Sequence, residues 1–178
     1  MKTFYIIASI GFLFIMIQSY KLLSNNLKTE NQKYRLVLKD AQFEIRFYPS
    51  ATFAKIYSSG TDYKSVSSSG FRKLAGYIFG GNDQGKSISM TAPVRMEMSD
   101  KGSYMSFVMP EKYKEADLPT PKDASVQIVK SIPQYVAVIS FGGYADDESI
   151  QENRNLLLKL IQKKGIKVTG EYSFLGYN

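Results

Sequence analysis

The 178-residue chain contains no cysteine and no histidine. Without cysteine there can be no disulfide, no thiolate nucleophile, no Cys-based zinc site and no thioether attachment of a prosthetic group. Without histidine there is no Ser-His-Asp triad and no imidazole ligand for a metal. A metal site would have to use carboxylates, tyrosinate, methionine or backbone oxygens. Nor are the charges gathered in one place. The 23 Lys and Arg residues against 16 Asp and Glu give a net charge of +7, but they form no basic stripe. No helix-turn-helix or finger signature accompanies them, so a nucleic-acid partner is not expected. What the chain does hold is aromatic and apolar: 13 Tyr, 11 Phe and 44% hydrophobic residues. That is enough to fill one β-rich core in one domain.

The N-terminus opens Met1-Lys2, and an apolar run extends from Phe4 to Ile17. It is shorter than the roughly 20 residues of a spanning helix, and it fits an uncleaved signal anchor or a signal peptide over residues 1–23. No small-x-small cleavage site follows; Tyr20 and Lys21 suit an interface. The polar segment Ser24 to Lys33 reads as a linker, and residues 34–178 as the folded domain. Export of that domain, tethered to or released from a membrane on the extracytoplasmic side, is the expected location.

Within the domain, Phe43, Ile45 and Phe47 alternate with Glu44 and Arg46, which predicts a strand with the apolar residues inward. Thr52 to Tyr57 is the next strand. Thr61 or Asp62 caps a helix with Val66, Phe71, Leu74 and Ile78 along one face, stopped at Gly80-Gly81-Asn82. From Ile88 a new alternation places Met90, Ala92, Val94, Met96 and Met98 on one side, with Pro93 at an edge or bulge. Asp100-Lys101-Gly102 turns the chain into a partner strand carrying Met105, Phe107 and Met109. Glu111 to Lys122 is a loop. Val126 to Ile132 and Tyr135 to Phe141 are strands about a tight Pro133-Gln134 turn. A second helix starts at Asp146 or Asp147, presents Ile150, Leu157, Leu160 and Ile161, and ends at Gly165. Strands near Ile166 to Thr169 and Tyr172 to Tyr177 follow. Both halves share A-x-I-x-x-x-G before their helix (Ala54 to Gly60, Ala137 to Gly143), which suggests two strand-helix-strand-strand units.

One motif invites a different reading. Gly80 to Ser87 matches G-x-x-x-x-G-K-[ST], the phosphate-binding loop. That loop needs a strand before it and a helix after it; here the order is reversed, so the segment is read as a turn. Glu44, Asp83, Glu97 and Glu171 supply carboxylates, but no spacing pairs them for acid/base work, and no nucleophile has an activating base. The chain is therefore not expected to be an enzyme.

The segments Glu44 to Pro49, Phe71 to Pro110 and Phe141 to Tyr144, in that order, resemble the SOUL haem-binding protein family, over roughly Ala41 to Asn178. The resemblance implies an α+β fold: a distorted antiparallel β-barrel of two repeats flanked by two helices, here preceded by an N-terminal hydrophobic helix. Members usually continue past Gly176-Tyr177-Asn178 into a proline-rich turn and a last strand, so the expectation is that this sequence is either truncated at Asn178 or lacks the closing strand. The resemblance also implies a monomeric, non-catalytic carrier or buffer that binds haem or a related tetrapyrrole. Such a ligand needs an apolar slot and cations for its propionates. Met90, Met96 and Met98 form one expected wall, with Met105 and Met109 beside them, and Phe71, Leu74 and Tyr77 form the other. Arg72 and Lys73 are the expected cations, with Lys86 and Arg95 as further choices. With no histidine for iron, binding is expected to be non-covalent and to need no axial protein ligand. Two other readings fit the same residues: a binding module for other flat amphipathic molecules, like the effector-binding domains of drug-responsive regulators, or a structural protein of the cell envelope.

Overall fold

Ten principal elements follow one another along the chain: β1 (Arg35–Lys39), β2 (Glu44–Tyr48), β3 (Thr52–Ser58), α1 (Tyr63–Ile78), β4 (Val94–Ser99), β5 (Gly102–Val108), β6 (Val126–Lys130), β7 (Gln134–Val138), α2 (Asp147–Lys163) and β8 (Ser173–Gly176). The computed structural model describes residues 29–99 and 101–177. The expected N-terminal anchor and the first half of the linker lie outside the described residues, as does Asp100 of the predicted turn. Among the described residues, no helix is long and apolar enough to cross a membrane. The linker's last residues are held by the domain: the Gln32 amide donates to the Ala92 carbonyl at 2.7 Å, and Lys33 pairs with Glu111.

The ladders among these strands are antiparallel. They make a five-stranded sheet in the order β8-β4-β5-β3-β6 and a three-stranded sheet in the order β1-β2-β7. The expected barrel does not close. Residues 166–169, expected as a strand, form none; the Ile166 amide instead donates to the Ile161 carbonyl at 3.0 Å, finishing α2. Only β8 then follows α2, and it pairs with β4 rather than joining the two sheets. The expected hairpin about Pro133-Gln134 is also absent. β6 pairs with β3 and β7 with β2, so the chain changes sheets at that point. It does so beside the other crossing, between β2 and β3. There Ser131 binds Ala51 through both its amide and its hydroxyl, and Ser50 Oγ donates to the Ser131 carbonyl.

The two-repeat reading holds for the helices. Asp62 caps α1 and Asp146 caps α2, each accepting from the backbone amide three residues on. A glycine with positive φ ends each, Gly80 at 104° and Gly165 at 69°, where residues with a Cβ are disfavoured. α1 is a poor helix by composition. It carries four serines and two glycines, and each glycine costs about 1 kcal/mol relative to alanine. Its stability comes from the sheet beneath. Val66, Leu74, Tyr77 and Ile78 join Ala54, Ile56, Met96, Met105 and Phe107 in one buried cluster. Gly70 sets the approach: a Cβ there would lie 3.3 Å from Met105 Sδ.

In β2 the burial is the reverse of that expected. Arg46 and Tyr48 lie on the buried side, while Ile45 and Phe47 are half-exposed. The Arg46 charge is tolerated because its guanidinium binds Glu44 at 2.7 Å and stacks 4.3 Å from the Tyr34 ring, which replaces the lost water. Tyr34 in turn packs against Tyr48, 5.4 Å between centroids. Burial, and then the neighbouring Tyr48 hydroxyl, push the Tyr177 hydroxyl above the ordinary tyrosine range.

The phosphate-loop look-alike is indeed a turn. Fully buried Asn82 donates to the Tyr77 and Lys86 carbonyls at 3.1 and 2.7 Å and accepts from the Lys86 amide at 2.9 Å. The amides of Gly81, Asp83, Gly85 and Ile88 also bond to main-chain carbonyls. With those donors spent on the protein, little is left to cradle a phosphate.

Two outcomes check this account. Gly70→Val should destabilise the fold by about 1–3 kcal/mol through overpacking against Met105, and Asn82→Ala by at least as much, since it strands buried carbonyls and an amide. Urea unfolding followed by circular dichroism measures both; wild-type midpoints would refute the packing and turn assignments.

Candidate functional site

The sequence-predicted residues fall into two groups. Leu74, Tyr77, Met96 and Met98 are buried, as are Met105 and Met109, and Met90 is half-buried against the same core. All but Met98 pack together in the core cluster between α1 and the five-stranded sheet. The Tyr77 hydroxyl donates to the Pro119 carbonyl at 3.0 Å; burial, and then the negative charge of Asp83, push its pKa up to about 12. Phe71, Arg72 and Lys73 are exposed, Phe71 at 39%. The Phe71 ring stands edge-on to Phe107 with centroids 5.3 Å apart, so it continues the core out to the surface.

From Phe71 an aromatic strip runs along the flank of α1 that faces β4 and β8. Val94 lies opposite Phe107 in the ladder, and Gly176 lies opposite Val94. Two turns back along α1, Tyr63 meets Phe174 of β8 at 5.5 Å, edge to face, and Phe174 meets Phe141 at 6.2 Å. Tyr63, Phe174 and Val94 are half-buried and Phe141 is exposed. Gly176 carries no side chain, which leaves this edge of the sheet low between Phe174 and Val94. Lys64, exposed and seven residues before Phe71, lies on the same helix flank. Sequence reasoning missed Tyr63, Lys64 and Phe174. The signal for Phe174 is non-local, because only the β8–β4 pairing brings it to α1. For Lys64 the i, i+7 spacing to Phe71 was available.

The candidate cations separate as well. Arg72 is exposed, and Lys73 reaches across the other flank of α1 to Ser125 Oγ at 3.3 Å. Lys86 lies 4.7 Å from the Tyr113 ring. Arg95 is only 8% exposed; it alternates with Val94 and Met96, so it faces away from α1, over Phe53 at 5.3 Å. The carboxylates are occupied singly. Glu44 binds Arg46, Glu97 binds Lys55 at 2.7 Å, and Asp83 accepts from the Thr120 amide at 2.8 Å. Glu171 is exposed. Among the described residues, no cluster of three or more acidic side chains could hold a metal ion.

A flat hydrophobic molecule laid on this strip would meet aromatic edges and faces, with Lys64 and Arg72 near enough along the helix for anionic substituents. The same combination fits a tetrapyrrole: apolar contact for the ring and cations for its carboxylates.

Comparison with known proteins agrees. The family model described as SOUL heme-binding protein matches residues 29–178. The chain is 30% identical over 139 residues to heme-binding protein 2 of Mus musculus, covering 74% of this chain and 67% of the mouse protein. It is 31% identical over 145 residues to heme-binding protein 2 of Homo sapiens, covering 76% and 70%. With heme-binding protein 1 of Xenopus laevis the identity is 30% over 129 residues, covering 66% and 67%. With the family model spanning nearly all the described residues, the chain belongs to the SOUL heme-binding protein family.

Proposed function

We propose that this protein binds haem or a related tetrapyrrole reversibly, as a carrier or buffer and without catalysis, on the aromatic strip between α1 and β8. The single observation that carries the site is the outward continuation of the core through Phe71, Val94, Phe174, Tyr63 and Phe141. Family membership supports the ligand class. In this reading Phe71 contacts the ring, Lys64 and Arg72 attract the propionates, and Leu74, Tyr77, Met90, Met96 and Met98 support the surface from behind, while Lys73, turned to Ser125 on the other flank, takes no part. Bound iron would supply the redox and ligand chemistry of haem, but binding rests on the porphyrin's apolar area, with no obligatory axial residue. We further propose that the protein acts as a monomer, held at or exported across a membrane by its apolar N-terminal run.

Parallel spectrophotometric titrations with ferric haem and free-base protoporphyrin test this. One-to-one saturation with affinities within about fivefold of each other is expected, because the shared ring contributes most of the burial. Phe71→Ala and Phe174→Ala should each weaken both ligands by about five- to fiftyfold, a loss of about 1–2 kcal/mol of stacking. Haem binding far tighter than free-base binding, abolished in Tyr63→Phe, would replace this picture with tyrosinate ligation. No binding of either ligand by the folded chain would overturn the reading.

A further inference from the structure

A second surface lies well apart from the strip in the strand order. A groove of about 310 Å³ is lined by Lys33, Tyr34, Arg35, Phe47 and Pro49 on the three-stranded sheet. Arg35 and Phe47 face each other in the β1–β2 ladder, and Phe47 faces Tyr135 in the β2–β7 ladder. These three side chains therefore share one face of the sheet. The Phe47 and Tyr135 rings lie 5.1 Å apart at 53°, and the Arg35 guanidinium sits 5.4 Å from the Phe47 centroid. Tyr135 is 65% exposed. The lining contains two cations and no carboxylate. Lys33 is ion-paired with Glu111, whereas none of the ion pairs among the described residues uses Arg35.

This arrangement also explains the reversed burial of β2. Turning Arg46 and Tyr48 inward leaves Phe47 outward, which makes it the floor of an open site rather than part of the core. Exposed rings with an arginine over one of them suit a π-system that carries negative charge: the rings take the ligand's face and edge, and the guanidinium takes its anionic group. The volume is at the small end of the range for ligand pockets, about 300–1,000 Å³, which is room enough for two or three fused rings.

We propose that the groove over Arg35 and Phe47, with Tyr135 packed beside Phe47 at its margin, is a second binding site, for a small planar aromatic anion such as an aromatic carboxylate or sulfonate, separate from the strip on α1. The proposal does not depend on the tetrapyrrole reading.

The test uses the full chain and the fluorescence of 1-anilinonaphthalene-8-sulfonate, with a cationic acridine of similar size as control. The sulfonate should bind one-to-one and the acridine at least tenfold more weakly. Arg35→Glu and Tyr135→Ala should each weaken the sulfonate by about five- to tenfold with the melting temperature unchanged. Arg35→Lys should retain most of the affinity, and Phe71→Ala all of it. Unchanged sulfonate binding in both Arg35→Glu and Tyr135→Ala would overturn the proposal, as would loss in Phe71→Ala instead. If protoporphyrin displaced the dye and lost affinity equally in Arg35→Glu, the groove would be the tetrapyrrole site and the small-ligand proposal would fall. Arg35-dependent binding to anionic vesicles with no binding of the free dye would assign the face to a membrane and overturn it too.

Discussion

The close approach of α1 to the five-stranded sheet is the constraint on which the other features depend. A helix with four serines and two glycines has little intrinsic reason to form, and it is held by what it covers. Gly70 lets it settle onto Met105. Once it is there, Val66, Leu74, Tyr77 and Ile78 reach the methionines of β4 and β5. The same seating fixes which flank of the helix overlooks β8. Phe71 and Tyr63 are therefore placed beside Phe107 and Phe174 by backbone packing and not by contacts of their own.

The methionine-rich strands fill the core beneath α1. Met96, Met98, Met105 and Met109 are flexible enough to fill the irregular space under a glycine-containing helix, and they are buried in doing so. Aromatic residues at the margin of that packing carry the exposed apolar surface. Core and candidate site are thus continuous: Phe107 is in the interior, and Phe71, touching it, is at the surface.

Much of this was legible in the sequence. The caps at Asp62 and Asp146, the glycine stops at Gly80 and Gly165, and the alternation from Val94 to Met98 are local signals, and each has a local cause. The phosphate-loop match could be set aside from element order alone. What failed was non-local. The sequence periodicity put Ile45 and Phe47 inside, but Arg46 finds Glu44 and the Tyr34 ring on the buried side, and those partners are visible only after β1 and β2 pair. The Pro133-Gln134 turn looked like a hairpin because its flanking strands are adjacent in sequence; their true partners lie some eighty residues earlier. Residues 166–169 have strand composition, yet the end of α2 takes the Ile166 amide first. For the site, Phe71 was found because it falls along the apolar face of α1 with Val66, Leu74 and Ile78, and Phe174 was missed because nothing local marks it.

β8 has only four residues, and among the described residues it pairs on one side alone, with β4. Short edge strands open locally at a free energy well below that of global unfolding. When β8 lifts, Phe174 leaves both Tyr63 and Phe141 at once, and the strip loses its outer wall while the core beneath α1 stays closed. The lifetime of the aromatic strip is therefore set by the fraying of one strand end. Hydrogen exchange at the amides of residues 173–176 is the natural clock for that surface, running faster than the clock of the fold that carries it.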